Sequence, residues 1–227
     1  MRHSGILGSR RVMAALGAAA VWLILAMGDG YGETLAASRY ARILPPGAGD
    51  AEPTAAWLDF CKRLPDECRI DVAEPATIEL TPEVARLIAA TNLYVNKTIK
   101  PMTDRAHWGV EDRWDYPDDG FGDCEDYQLL KRKLLAEAGL PRRAMRMTVV
   151  IDAEGDGHAV LTIRTDRGDL ILDNKRDAVL AWNETGYEFI KREGSETVAW
   201  VALGGEPART VVASRSVRKA RPVRSRH

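Results

Sequence analysis

Cys124 constrains this chain more than any other residue, because it lies where a glycine-containing loop meets a strongly helical stretch. The local sequence is Gly122-Asp123-Cys124-Glu125-Asp126-Tyr127. A cysteine at a helix N-terminus faces unpaired backbone N–H groups and the positive end of the helix dipole, and both favour its thiolate. The pattern therefore predicts a nucleophilic cysteine at the start of a helix.

Two further residues, both C-terminal to Cys124, complete a candidate catalytic set. His158 lies between a glycine-rich turn and an apolar strand-like run, and Asp173 follows the apolar residues 170–172. Thiol-based acyl transfer requires a nucleophile, a base and an acid that orients the base. The sequence predicts a Cys124–His158–Asp173 triad, and the alternative is that these are three independent structural residues.

Few histidines could serve as the catalytic base, because the chain contains only four histidines. His3 lies in the N-terminal segment and His227 ends the chain, which leaves His107 and His158. His107 follows Asp104-Arg105 in a tryptophan-containing loop, where a solvated side chain is the expected state. His158 is therefore the better candidate for a catalytic base.

Two main helices are predicted before the sheet. Thr81 and Pro82 form a helix start, and apolar residues at helical spacing continue to about Lys97. The second helix runs from Cys124 to Ala138. Residues 100–123 between them are expected to form an irregular loop, with Trp108 and Trp114 either serving the site or packing at the core edge.

Strand-like alternation follows the second helix. It predicts strands over 145–151, 158–165 and 169–173, and a last strand over 197–203. Helices followed by an antiparallel sheet indicate an α+β fold. A two-residue hairpin loop after Thr165 would place Asp173 opposite Val160, one same-face position from His158. A slip of one residue would put His158 and Asp173 on opposite faces.

The two ends of the chain have distinct compositions. Residues 1–36 are interpreted as a signal peptide, because basic residues precede the apolar stretch 12–27 and small residues follow it. An uncleaved membrane anchor is the alternative. Residues 37–54 are expected to form an N-terminal arm, and residues 205–227 a basic disordered tail that either aids solubility or contacts anionic surfaces.

The cysteine count fits an oxidising compartment. Cys61 and Cys68 are close in sequence, and Pro65 between them allows a bend. We expect these two residues to form a disulfide, which leaves Cys124 as the odd cysteine. A metal site built on Cys61 and Cys68 is the alternative, but the sequence supplies no further cysteine or nearby histidine for it.

The acids that flank Cys124 oppose its ionisation. Asp123, Glu125 and Asp126 place negative charge beside the thiol, which disfavours a thiolate. Either these carboxylates cap the helix, or a hard cation such as Ca²⁺ neutralises them. A complete calcium shell would also need backbone oxygens or other loop acids; the candidates are Asp115, Asp118 and Asp119.

Six motifs connect the chain to a known family. In order they are Asn92-Leu93-Tyr94-Val95-Asn96, Trp108-Gly109-Val110, Trp114-Asp115-Tyr116-Pro117, Gly122-Asp123-Cys124-Glu125-Asp126-Tyr127, Gly157-His158-Ala159-Val160-Leu161 and Leu172-Asp173-Asn174. Together they resemble the bacterial transglutaminase-like cysteine proteinases over about residues 55–204. The resemblance implies a papain/transglutaminase-like α+β fold, in which the N-terminus of the nucleophile's helix packs on an antiparallel sheet.

The resemblance also implies roles and partners. Cys124 would be the nucleophile, His158 the base and Asp173 its orienter. The best understood relatives are periplasmic, calcium-dependent proteases that clip a surface adhesin, and their calcium-binding acids correspond by motif to Asp123 and Glu125. This chain departs from them in the loop upstream of the cysteine and in the Cys61–Cys68 pair, which resemble a stand-alone subgroup.

The expected function is an exported cysteine peptidase that hydrolyses a protein amide bond through a thioester. The alternatives are a transglutaminase-type acyltransferase, which passes the same thioester to an amine, and a non-catalytic periplasmic binding module. A protein substrate such as a surface adhesin is expected. The net charge of -1 argues against a nucleic-acid partner, and membrane contact is expected at most through the signal or the basic tail. The expected location is periplasmic or secreted.

Overall fold

The computed structural model of the chain describes residues 43–45 and 49–204. The predicted signal peptide and basic tail lie outside the described residues. None of the helices within the described ranges has the length and apolarity that a membrane span requires.

Within residues 49–204, four α-helices precede or flank the sheet, and three of them begin at a threonine cap. Thr54, Thr81 and Thr103 each accept a hydrogen bond from a backbone N–H in the first turn, which satisfies a donor that the helix itself leaves unpaired. The helices are α1 (Ala55–Arg63), α2 (Pro82–Thr98), α3 (Asp104–His107) and α4 (Cys124–Glu137).

Seven antiparallel strands form the main sheet. Their spatial order is β1-β9-β8-β4-β5-β6-β7, and a separate parallel pair joins β2 to β3. The strands are β1 (Gly49–Ala51), β2 (Lys100–Pro101), β3 (Phe121–Gly122), β4 (Met145–Ile151), β5 (Gly157–Thr165), β6 (Gly168–Leu172), β7 (Leu180–Ala181), β8 (Glu188–Glu193) and β9 (Trp200–Ala202). The predicted α+β class is confirmed.

The two faces of the sheet bury different sets of side chains. Met147 and Leu161 alternate into the large core shared with the helices, together with buried Trp114 and Trp200. On the other face, Val160 belongs to a smaller apolar cluster, whose buried members are Leu44, Val150, Val160, Ile171 and Phe189. Because β4 and β5 are covered on both faces, they form a rigid platform beneath α4.

The β5–β6 hairpin has the register that the sequence predicted. Thr165 pairs with Gly168 across a two-residue loop, and Leu161 pairs with Leu172. Asp173 therefore follows the strand at the position opposite Val160, on the face that carries His158. The register of this hairpin thus determines which side chains meet at its open end.

Several elements differ from the sequence-based expectations. The segment 100–123 is not an irregular loop throughout, because it contains β2, α3 and β3. The last strand is shorter than predicted, and β7 and β8 were not predicted at all. β1 lies in the segment expected as an arm and pairs with β9 at the sheet edge.

The predicted disulfide is present. Cys61 at the end of α1 is bonded to Cys68 in a short 3₁₀ turn, with their Cα atoms 5.6 Å apart. Neighbouring Glu67 accepts a hydrogen bond from the hydroxyl of Tyr116 at 2.5 Å and pairs with Arg142 at 2.6 Å. The disulfide therefore fixes a turn that contacts both the loop before Cys124 and the start of the sheet.

We predict that the double variant Cys61→Ala/Cys68→Ala lowers the free energy of unfolding by about 2–3 kcal/mol, because the unfolded chain regains the entropy that the short closed loop removes. Urea unfolding of the non-reduced protein measures this change. A reducing agent should lower the midpoint of the unaltered protein and leave that of the variant unchanged. Equal stability of the two proteins without reductant would contradict the prediction.

Candidate active site

Cys124 is the first residue of α4, as the sequence predicted. Its side chain is 8 % exposed and packs against Ala159 on β5. Because Ala159 directly follows His158, the thiol lies beside the start of the strand that carries the candidate base. The backbone N–H groups at the start of α4 have no partner within the helix itself.

His158 and Asp173 form a buried hydrogen-bonded pair. The Nε2 atom of His158 lies 2.8 Å from Oδ1 of Asp173, and the two residues are 2 % and 3 % exposed. The structure therefore brings together the two side chains that the hairpin register was expected to place within reach. With Nε2 engaged, Nδ1 remains as the ring nitrogen for proton exchange.

Asp173 is held by more than the histidine. It also accepts hydrogen bonds from the hydroxyl of Tyr187 at 2.6 Å and from the backbone N–H of Lys175 at 2.9 Å. Burial opposes ionisation of Asp173, but the hydrogen bonds and charge of His158, with those other donors, lower its pKa to about 2. These contacts thus hold Asp173 in its ionised form. Tyr187 was missed from the sequence, because nothing in its local pattern marks it.

The acids that follow Gly122 are buried rather than solvated. Glu125 is fully buried and Asp126 is 2 % exposed. Asp126 accepts from the backbone N–H of Asp123 at 3.3 Å and from that of Asp115 at 2.8 Å, so it caps the helix and ties the upstream loop to it. A Cβ at Gly122 would lie 2.8 Å from the Asp126 side chain, so the close approach requires glycine.

Two further acids from the upstream loop complete this cluster. Carboxylate oxygens of Asp104, Asp112 and Glu125 lie within 4.8 Å of one another, and so do those of Asp104, Asp123 and Asp126. Within the described ranges, one buried oxygen on each of four of these residues lacks a hydrogen-bond donor; the atoms are Asp104 Oδ1, Asp112 Oδ1, Asp123 Oδ1 and Glu125 Oε1. Sequence reasoning identified Asp123 and Glu125 but missed Asp104 and Asp112.

Burial raises the pKa of every carboxyl in this cluster, and repulsion from neighbouring carboxylates raises it further. Burial, followed by the charge of Asp104, raises the pKa of Asp123 to about 7. Burial is also the main reason that the pKa of Asp126 rises to about 9 and that of Glu125 rises well above its ordinary value. Without a cation, several of these groups would therefore hold protons at neutral pH.

The buried carboxylates also affect the thiol of Cys124. Cys124 donates a hydrogen bond to Oε2 of Glu125 at 3.1 Å. Burial, and then the charges of Glu125 and Asp123, raise the pKa of Cys124, while the backbone N–H of Ala159 lowers it. The opposition of the flanking acids to ionisation, expected from the sequence, is therefore present, and burial adds to it.

The other loop acids lie outside these clusters. Asp115 pairs with Arg63 at 3.2 Å and Arg113 at 3.0 Å, and Asp119 lies 2.7 Å from Nε2 of His107. Asp118 is exposed. His107 is not the solvated residue that was expected, because its side chain is 13 % exposed and its ring stacks 4.0 Å from that of Trp108.

The acid cluster fits a hard divalent cation. It offers only oxygen atoms, several of them buried and without donors, and its like charges repel one another when ionised. Calcium accepts carboxylate ligands in flexible geometry. Asp104, Asp112, Asp123, Glu125 and Asp126 are therefore the residues that could hold such an ion.

Comparison with known proteins identifies the family. The sequence profile of the bacterial transglutaminase-like cysteine proteinases matches residues 48–208, which is most of the chain. The chain belongs to this family. Its fold is transglutaminase-like, and it is a cysteine peptidase, which decides against the non-catalytic alternative.

Solved structures of Legionella pneumophila LapG are also similar. The calcium-bound form is 26 % identical with a TM-score of 0.45, and the match covers 52 % of this chain and 70 % of that one. The EGTA-treated form is 26 % identical with a TM-score of 0.44, covering 51 % and 65 %. A search of curated proteins found no match.

We predict that Tyr187→Phe shifts acid unfolding to higher pH. The folded pKa of Asp173 lies below its ordinary value, so its stabilising effect is present above about pH 4 and is lost as the pH falls toward about 2. Loss of the tyrosine hydroxyl raises the folded pKa and lowers the free energy of unfolding by about 1–2 kcal/mol. Circular dichroism against pH measures the shift.

The matched control is Tyr94→Phe, which removes a hydroxyl from an exposed position on α2. It should leave the acid midpoint unchanged. An unchanged midpoint in Tyr187→Phe would show that its hydrogen bond does not stabilise the ionised Asp173.

Proposed function

We propose that the protein hydrolyses a protein amide bond through a thioester on Cys124, with His158 as base and Asp173 as its orienter. The observation that carries this proposal is the buried His158–Asp173 pair at the start of β5, next to the residue on which the thiol packs. Membership of the cysteine proteinase family supports a thiol nucleophile, and Cys124 is the cysteine that the disulfide does not use.

The chemistry follows from the order of the groups. His158 takes the thiol proton through Nδ1, and the thiolate of Cys124 attacks the amide carbon. The imidazolium then gives its proton to the leaving amine, so that the C–N bond breaks and a thioester remains. Water, deprotonated by the same histidine, attacks the thioester carbon; the C–S bond breaks, the acid leaves, and the imidazolium returns its proton to the Cys124 thiolate. Asp173 holds the ring in one orientation throughout.

The helix N-terminus contributes to both steps. The backbone N–H of Cys124 points out of the first turn of α4, where it can donate to the oxyanion of the tetrahedral intermediate. The positive end of the α4 dipole favours the same negative charge. Attack by Cys124 at this position therefore generates charge where the helix stabilises it.

Calcium is proposed to bind beside the nucleophile. Asp123 and Glu125, the two residues implied by the family motif, would hold it together with Asp104, Asp112 and Asp126 from the same cluster. When bound, the ion supplies positive charge that reverses the local field at the thiol. Asp123 and Glu125 would then serve as ligands in their ionised form and would no longer disfavour the Cys124 thiolate.

We also propose that the enzyme is exported and acts on a cell-surface protein. The N-terminal sequence pattern and the Cys61–Cys68 disulfide support an oxidising location. The resemblance described above suggests an adhesin as substrate. The proposed site of action is therefore the periplasm or the extracellular space, and the proposed substrate is a large surface protein.

We predict that Cys124→Ala and His158→Ala each lower kcat by about 10⁴-fold or more, because the triad acts as one unit. The double variant should be no worse than either single variant. Asp173→Asn should retain more activity, since it orients the ring and exchanges no proton. The assay is cleavage of a protein substrate, with intact-mass detection of the acyl-enzyme.

Circular dichroism of each variant controls for folding. Asp118→Asn, at an exposed loop acid outside the proposed proton path, serves as the control variant. Wild-type cleavage by folded Cys124→Ala would rule out this mechanism.

We predict that calcium lowers the pKa of Cys124. The pH dependence of alkylation by iodoacetamide should shift to lower pH when calcium is added and return on chelation, since the cation offsets the charges of Glu125 and Asp123. Asp123→Asn should weaken this response, whereas Asp118→Asn, on an exposed loop acid, should leave it intact.

The competing explanation is that the acids serve the fold and bind no ion. It predicts that calcium leaves the alkylation profile unchanged up to millimolar concentration, and that Asp123→Asn costs only about 1 kcal/mol of stability. Identical profiles with calcium and with chelator would decide for this explanation.

A further inference from the structure

A second charged cluster lies away from the acids, near the disulfide. It lines a cavity of about 10 Å³ between the 3₁₀ turn of Cys68, helix α4 and the first residue pairs of β4. A cavity of this size holds one water-sized particle. Charged lining residues come from four separate parts of the chain; they are Glu67, Arg69, Arg132, Arg142, Arg146 and Glu193.

Two of these arginines have carboxylate partners. Nη1 of Arg132 lies 2.7 Å from Glu193, and Nη2 of Arg142 lies 2.6 Å from Glu67. Glu193 also accepts from the indole of Trp57 at 2.9 Å and from the backbone N–H of Met147 at 2.8 Å. Both carboxylates are thus already engaged by several donors.

Arg146 has no such partner. It is 3 % exposed, and across residues 43–45 and 49–204 it forms no ion pair with a carboxylate. Its Nη2 donates to the backbone carbonyl of Arg143, and its Nε has no acceptor within that part of the chain. Glu193, which already pairs with Arg132, is also the carboxylate that acts on Arg146, so two buried guanidinium groups share one counter-charge and the position requires compensation.

The unsatisfied atoms at the cavity are all donors. Arg132 contributes Nε and Nη2, and Arg146 contributes Nε, each buried without an acceptor in the described structure. A water molecule accepts at most two hydrogen bonds and carries no negative charge. A monatomic anion accepts from every side and supplies the missing negative charge.

We propose that this cavity binds a chloride ion between Arg132 and Arg146. The small volume favours a monatomic anion over larger ones, and the excess of arginine over glutamate selects an anion over a cation. Chloride would link α4, which begins at Cys124, to the disulfide-bonded turn and to β4. Its role is to stabilise the scaffold, and the acid cluster and the catalytic set contribute no residue to it.

Anomalous diffraction and thermal unfolding together test the chloride proposal. Crystals of the full chain soaked in sodium bromide should show an anomalous peak within hydrogen-bond distance of Arg132 and Arg146. In solution, the melting temperature should be about 2–4 °C higher in sodium chloride than in sodium gluconate at equal ionic strength, since gluconate is too large to enter. The rise should saturate with chloride concentration.

Two variants separate specific binding from a general salt effect. Arg146→Met keeps the length of the side chain but removes its donors, so the chloride-dependent rise should disappear. Arg86→Met, on the exposed side of α2, should keep it. A bromide peak without a chloride-specific rise in the unaltered protein means an adventitious ion only and overturns the proposal. Absence of the peak, or an uncharged water in its place, overturns it too.

Discussion

The repulsion among buried carboxylates beside Cys124 is the constraint on which the rest of the site depends. Acids from three places in the chain converge in two groups whose carboxylate oxygens lie within 4.8 Å of one another, Glu125 accepts a hydrogen bond from the thiol, and burial raises the pKa of each acid. A thiol in that field ionises poorly. Either protons or a cation must neutralise the cluster, and only a cation also favours the thiolate that peptide hydrolysis requires. The same acids that hinder the nucleophile thus provide a means of controlling it.

The β5–β6 hairpin of the main sheet determines the positions of His158 and Asp173. The two-residue turn between β5 and β6 fixes which residues face each other, and this brings His158 and Asp173 to one end of one face. Because both strands are buried on both sides, the pair has little freedom to separate. Tyr187, on the segment that leads into β8, then holds the second oxygen of Asp173.

Local signals explain what could be predicted from the sequence. The loop-to-helix junction at Cys124, the short hairpin and the close Cys61–Cys68 pair each depend on a few adjacent residues. Asp104 and Asp112 could not be found this way, because they reach the site only through the fold of 100–123. β8 escaped detection because buried Arg192 and Glu193 interrupt its apolar alternation, and Glu193 is tolerated there only through its partners across the core.

Calorimetric titration of calcium at pH 7, in two buffers with different protonation enthalpies, tests the central claim most directly. If the acid cluster holds protons without the cation, as a pKa of about 9 for Asp126 requires, calcium must displace them. The account predicts saturable binding with release of about one or more protons for each ion bound. Binding without proton release, or no binding at millimolar calcium, would contradict it.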